Sequence, residues 1–306
     1  MEDLKLLVVG SVAIDSVQTP FGFREESIGG SALYFSAAAS LFSPVSILAV
    51  VGEDFPMDEV EFLSARGADL SGLKTIPGRT FRWKGQYGYD LNEAKTIETH
   101  LNVFEEFTPV LTERQRSAEL LFLANIDPEL QLKVLDQVDS PALVAADTMN
   151  FWIEGKRKAL QRVVERIDLL VLNEAEARML TEEVNLVKAA QKIMEWGPSG
   201  VVIKRGEYGV IYFAAGYFFS APAYPLEELF DPTGAGDSFA GGMMGALAAS
   251  GDLTPEGIKR AIVYGSAVAS FNVEDFSFTR LASIEYGDIN RRFGDFVRMT
   301  AFETGI

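Results

Sequence analysis

The stretch Asp231-Pro232-Thr233-Gly234-Ala235-Gly236-Asp237-Ser238-Phe239 carries the residues best suited to chemistry in this chain. Two glycines flank an alanine in a tight turn, and a carboxylate then opens a helix expected from Ser238 to about Ala249. Small residues let the backbone approach a ligand and permit positive φ where the turn requires it. The first N–H groups of a helix lack partners and sit at the positive end of its dipole, so they form a ready anion site. An acid there is stabilised by the dipole yet repels a bound anion. That conflict makes sense if Asp237 takes up a proton during the reaction. The plain alternative is an Asp cap beside turn glycines. Two familiar phosphate motifs are excluded: Phe239 stands where the third glycine of Gly-x-Gly-x-x-Gly belongs, and no Gly-Lys-Ser/Thr occurs.

Other candidates punctuate the chain. Asp15 ends the string Gly10-Ser11-Val12-Ala13-Ile14-Asp15 just after the first apolar run, where open α/β sheets bind ligands. A carboxylate there accepts hydrogen bonds from a polyol, although a lone loop Asp is also a common turn residue. Gly29-Gly30-Ser31 opens the next helix. Asn173-Glu174-Ala175-Glu176 follows an apolar strand and has the form of a helix N-cap with acids in its first turn. Gly206 and Gly209 suit a tight hairpin, and Lys204 before them could neutralise a phosphate as a point charge or simply be a solvated strand end.

These residues need a frame. Short apolar runs alternate with amphipathic helical stretches, which predicts α/β architecture with a mostly parallel sheet flanked by helices on both faces. Strands are expected at Leu6–Val9, Val45–Val51, Leu120–Leu123, Ala142–Ala146, Leu169–Leu172 and Gly200–Lys204, with a hairpin over Val210–Ser220. Helices are expected at Gly30–Leu41, Glu53–Arg66, Glu154–Arg166, Glu174–Leu180, Ser238–Ala249, Thr254–Asn272 and Tyr286–Phe302. Insertions at about 16–28 and 79–107 break the alternation. The second holds Thr80-Phe81-Arg82-Trp83-Lys84-Gly85-Gln86-Tyr87, alternating aromatic and polar residues as exposed strands do. Loops of this length are usually functional or disordered, and the aromatic content disfavours disorder. Both insertions should leave one sheet edge and form a small β-strand lid on a single domain of residues 1–306.

The nonapeptide resembles the signature of the ribokinase (PfkB) family of sugar and nucleoside kinases. Asp15, Gly29-Gly30, Gly52-Glu53-Asp54, the Asn173/Glu176 pair and Gly206/Gly209 resemble its other motifs, in its order. Asn125–Glu129 and Asp147–Trp152 also resemble segments near its sugar and nucleotide pockets, with Trp152 read as core. The resemblance implies a ribokinase-like fold and ATP-dependent, Mg²⁺-requiring transfer of the γ-phosphate to a hydroxyl of a sugar. Asp237 would be the general base and Gly234, Ala235 and Gly236 the anion hole. Asp15, Gly29, Gly30 and Ser31 would bind substrate. Asn173, Lys204, Gly206, Gly209 and Thr233 would bind nucleotide, with Glu176 holding Mg²⁺ through water. Asp231, with Thr233, matches positions that hold a monovalent cation such as K⁺ in many relatives. One departure stands out: the family usually carries an Asn a few residues after its Gly-Gly, and this chain reads Ser31-Ala32-Leu33-Tyr34-Phe35-Ser36. An adenosine-like nucleoside kinase is the first alternative, favoured if Phe81 or Trp83 stacks on a base, and a non-catalytic metabolite-binding regulator is the second.

Composition narrows the classes. A net charge of −17 over 306 residues argues against a nucleic-acid backbone or an anionic membrane as partner. With no cysteine and His100 as the only histidine, disulfides, thiolate sites and multi-His metal sites are excluded. No apolar run approaches a membrane span, and Met1-Glu2-Asp3 leads directly into the first strand, so a cytoplasmic protein is expected. Exposed aromatic lid strands suggest a homodimer through the lid.

Overall fold

The computed structural model describes residues 4–92 and 94–301. Its strands are, in chain order, β1 (Leu6–Val9), β2 (Ala13–Thr19), β3 (Gly22–Gly29), β4 (Ser46–Gly52), β5 (Leu73–Ile76), β6 (Phe81–Tyr87), β7 (Ala94–His100), β8 (Leu120–Leu123), β9 (Leu143–Asp147), β10 (Leu169–Asn173), β11 (Gly200–Lys204), β12 (Val210–Ala214) and β13 (Tyr217–Ala221). Nine of them form the main sheet in the order β13-β12-β11-β10-β9-β8-β1-β4-β5. Pairing is parallel from β11 to β5 and antiparallel at β12 and β13.

The continuous apolar strands follow from burial on both faces. In β1, Leu6 and Val8 face one core with the helices Ser31–Ala39, Ala235–Ser250 and Pro255–Asn272. Leu7 and Val9 face the other, with Pro128–Leu135, Arg157–Val164, Glu174–Thr181 and Leu186–Trp196. This is the expected α/β architecture, a mostly parallel sheet with helices on both faces.

The smaller sheet has the order β3-β2-β6-β7 and comes from two excursions of the chain. β2 pairs parallel with β6 at its centre, while β3 and β7 are its edges. Its base is pinned by Asp54, which accepts from the Thr80 N–H and hydroxyl, both at 2.7 Å. Thr80 Oγ1 in turn accepts from the N–H of Gly52 at the end of β4.

Several local expectations are corrected. Asp15 lies within β2, because pairing with β3 and β6 begins at Ala13; it is a strand residue of the smaller sheet, not a loop residue. The helix expected over Glu53–Arg66 is reduced to a 3₁₀ turn, Met57–Val60, and a short helix, Glu61–Ala65. Pro56 restrains the residue before it, and Asp54 is committed to Thr80. Glu154–Arg166 becomes two helices, Asn150–Gly155 and Arg157–Val164, broken at Lys156, whose φ is −134°. The helix that carries Asp237 begins at Ala235 rather than Ser238. β5 and the helices Pro128–Leu135 and Leu186–Trp196 were not anticipated, although the Asp127 cap and Pro128 at the first helical position signal the first of these helices. Met1–Asp3 and Phe302 lie outside the described residues.

Candidate active site

Gly234 adopts φ 74°, ψ 0° and caps the helix Ala235–Ser250. A Cβ at Gly234 would overlap the ring of Tyr34, so both the backbone conformation and the space demand glycine. The N–H of Ala235 donates to the Pro232 carbonyl at 3.1 Å, and that of Ser238 donates to the Gly234 carbonyl at 2.8 Å. Gly236 and Asp237 are the second and third helical residues, positions whose N–H groups have no intrahelical partner. The N–H groups left open at this helix start are therefore those of Gly236 and Asp237, with Ala235 spent on the turn. Asn272, fully buried, braces this loop: its Nδ2 donates to the Thr233 carbonyl at 2.8 Å and its Oδ1 accepts from Ser238 Oγ at 3.0 Å. Asp231 organises the approach by accepting from the N–H of Thr233 at 2.9 Å and of Ser277 at 3.4 Å.

The carboxyl ends of three parallel strands deliver the phosphate side. Lys204 ends β11 opposite Asn173 of β10, and Asp147 ends β9 opposite Val171. Lys204 Nζ donates to Asp147 Oδ2 at 2.9 Å, with both side chains largely buried. A Cβ on Gly236 would come within 2.8 Å of Lys204 Nζ, so the ammonium lies directly against the open face of the first helical turn. Asn173 and Glu176 form a capping box: Asn173 Oδ1 accepts from the Glu176 N–H at 2.8 Å, and Glu176 Oε2 accepts from the Asn173 N–H at 2.7 Å. Beyond Lys204, the Arg205 N–H closes the turn onto the Gly209 carbonyl at 2.8 Å. Asn92 at the tip of the lid hairpin occupies the space a side chain at Gly206 would need.

On the acceptor side, Asp15 packs against the Cα of Gly29, where a Cβ would overlap its carboxylate. Gly30 takes φ 98° with the backbone of Ser11–Ala13 too close for any side chain. Ser31 is committed internally: its Oγ accepts from the Ser11 N–H at 3.1 Å, and its N–H donates to Ser11 Oγ at 3.2 Å. It ties the end of β1 to the helix start. From the lid, Tyr87 accepts a hydrogen bond from Thr233 Oγ1 at 3.3 Å.

Burial governs the electrostatics. It pushes Asp15 up to about 8, with Asp231 and Asp237 adding to the rise and the Gly30 N–H opposing it. Asp237 is pushed to about 7 by burial and then by Asp147, against the pull of Lys204. Glu176 rises to about 8 for the same reasons, burial first and Asp147 second. Burial disfavours the Lys204 charge, but Asp147 and Glu176 outweigh it and hold its pKa above the ordinary value. Asp237 is thus the group common to both halves: it senses Asp147 and Lys204 and acts on Asp15.

The structure also brings in residues that the sequence did not single out. Asp147 is one: the sequence marks it only as the first residue of the family-like segment Asp147–Trp152 and assigns it no role. Tyr34, Tyr87 and Asn272 are the others. Phe81 points into the core and stacks on Phe104 at 5.7 Å between ring centroids. Trp152 is half-buried and donates its Nε1 to Asn125 Oδ1 at 3.0 Å.

Comparison with known proteins accords with this geometry. Residues 4–282 match the pfkB family carbohydrate kinase profile. A cytidine kinase from Thermococcus kodakarensis is 33% identical over 247 residues, covering 79% of this chain and 87% of that protein. Among solved structures, the nucleoside kinase of Methanocaldococcus jannaschii superposes with a TM-score of 0.76 at 19% identity, covering 96% of this chain and 100% of its own. An Escherichia coli protein described as a ribokinase II, crystallised with ATP and Mg²⁺, superposes with a TM-score of 0.76 at 20% identity, covering 95% and 99% of the two chains. At those identities the two structures speak for the fold alone.

Proposed function

The chain belongs to the pfkB family of carbohydrate kinases and is an ATP-dependent phosphotransferase acting on a sugar or nucleoside; from that premise we propose that Asp237 is its general base. The observation that carries this reading is the placement of a buried carboxylate between a substrate-side acid, Asp15, and a lysine set against the helix start. Asp15 and the Gly29-Gly30 backbone orient the acceptor. Asp237 removes the proton from the attacking hydroxyl, whose oxygen forms a bond to the γ-phosphorus as the bond to the ADP oxygen breaks. The N–H groups of Gly236 and Asp237 and the Lys204 ammonium stabilise charge on the phosphoryl oxygens. Gly206 and Gly209 shape the turn beside the nucleotide, packed against Asn92 and the Ala221–Ala223 backbone, and Thr233 holds the helix-start turn in register. Such a reaction relies on positioning and electrostatics, which this set supplies.

The site suits Mg²⁺. Glu176 Oε2 is held by the Asn173 N–H, which leaves Oε1 for a water-bound cation. Among the described residues, no group of three or more acidic or histidine side chains is arranged to hold a metal ion, and an ion held mainly by phosphate and water needs none. When bound, Mg²⁺ supplies neutralising charge at the phosphates. Asp231 is the proposed partner of a monovalent cation such as K⁺, supported by its burial. A homodimer through the lid is supported by the exposed Phe21, Phe23 and Ile97 on its outer strands and turn. Among the described residues, no helix is long and apolar enough to cross a membrane.

ADP release measured with Mg²⁺-ATP against a panel of sugars and nucleosides tests the assignment. Turnover with at least one acceptor, lost in Asp237→Asn, is the expected result. Silence across the panel would overturn it.

A further inference from the structure

The site-facing side of the lid carries one aromatic side chain in an unusual setting. Trp83 of β6 stands opposite Asp15 of β2 in the parallel register, and Gly85 stands opposite Val17, so all four side-chain positions share a face. That face looks into the site: Asp15 meets Gly29 on it, and Tyr87, two residues beyond Gly85, reaches Thr233. The six-membered ring of Trp83 lies across Gly85, where a Cβ would overlap Cη2, Cζ2 and Cζ3. Gly85 pairs with Thr96 of β7, and Thr96 Oγ1 accepts from the indole Nε1 at 3.2 Å. Glycine beneath the ring and a hydrogen bond at its edge hold the indole flat against the sheet. The side chain is only half-buried, so part of the indole stays accessible.

We propose that Trp83 is a base-stacking platform and that the acceptor of this kinase is a nucleoside. The proposal rests on the kinase reading above and deepens it. Neighbouring strands lie about 4.8 Å apart. A pentose whose hydroxyls engage Asp15 and Asp237 therefore puts a planar substituent on its anomeric carbon over the next strand, where the indole lies. A free sugar has no group to fill that position. Every nucleobase has a π-face, so the platform selects nucleosides over sugars without selecting one base.

Two measurements test this. Cytidine and adenosine should quench tryptophan emission of the nucleotide-free protein, whereas D-ribose should not, and Trp83→Leu should remove the quenching. In steady-state assays, Trp83→Leu should lower the ratio of kcat/KM for cytidine to that for D-ribose by about ten-fold or more, through KM, a loss of the size expected for one stacked base. Trp83→Phe should restore most of it, and Thr96→Val, which frees the indole edge, should give an intermediate loss. A ratio unmoved by Trp83→Leu, or quenching that survives it, would overturn the proposal. If no acceptor releases ADP, the kinase reading fails, while the quenching experiment still decides whether Trp83 receives a base.

Discussion

The ammonium of Lys204 is shared in space between the carboxylate of Asp147, 2.9 Å away, and the face of Gly236, whose absent Cβ would lie 2.8 Å from it. One lysine thus links the end of β9 to the helix start proposed above to receive the phosphoryl group. Breaking a buried ion pair by removing one partner strands the other charge and costs about 3–5 kcal/mol. Lys204→Met should therefore destabilise the protein markedly in denaturant unfolding. Adding Asp147→Asn should return most of that stability without returning activity, since the point charge on the phosphates stays missing. Full recovery of turnover in the double variant would show that Lys204 serves the fold only.

Gly236→Val places a branched side chain where Lys204 Nζ and the incoming phosphoryl group must both fit. The end of a lysine can move, so folding should survive. Turnover should fall by about 10²-fold or more, the scale of a lost oxyanion donor. Circular dichroism together with ADP release separates the two effects.

Asp237→Asn removes the base and should lower kcat by about 10²–10⁴-fold. It also removes one of the buried like charges that raise Asp15. The variant should therefore be at least as thermally stable as the parent at pH 8, a combination that misfolding cannot produce.

Glu176→Gln separates capping from cation binding. Glutamine serves in a capping box as glutamate does, so the melting temperature should hold. The Mg²⁺ concentration needed for half-maximal rate should rise several-fold, read from a Mg²⁺ titration at fixed ATP. Asn173→Ala, by contrast, loses the cap itself and should cost about 1 kcal/mol.

The pH dependence has a definite sign. Asp15 and Glu176 titrate near 8 and Asp237 near 7 in the folded protein, against ordinary values of 3.8, 4.5 and 3.8. A carboxyl raised by folding contributes stability below its unfolded value, and that contribution is lost as pH rises through the folded one. The melting temperature of the ligand-free protein should thus decline between about pH 4 and pH 9, and Asp15→Asn should flatten the decline. Meanwhile kcat/KM should climb through pH 7 as Asp237 loses its proton. A stability that rises across that window would contradict the buried placement of these groups.

Much of this was readable in the chain. The apolar runs located the parallel strands because burial on both faces leaves no room for alternation, as in Leu6–Val9. The Gly234–Asp237 turn was legible as a helix start with open N–H groups because few backbones require two glycines before a helical acid. What could not be read was contact between distant residues of ordinary type. Lys204 and Asp147 are 57 positions apart, and nothing local marks either as the other's partner. Asn272 looks like one more residue at a helix end until its amide is seen bridging Thr233 and Ser238. Ser31 looked available to a substrate, but its reciprocal pairing with Ser11 uses that capacity. Tyr34, in the segment where the family's asparagine is missing, lays its ring on Gly234, where only a glycine leaves room for it.

The Lys204–Asp147 pair has one more consequence. Before nucleotide arrives, the strongest positive charge at the helix start is already answered from within, so a small inorganic anion meets two N–H groups and little net attraction. On the reading proposed above, a triphosphate brings several charges at once and would compete with Asp147 for the ammonium, so the pair would favour the cosubstrate over free phosphate and sulfate.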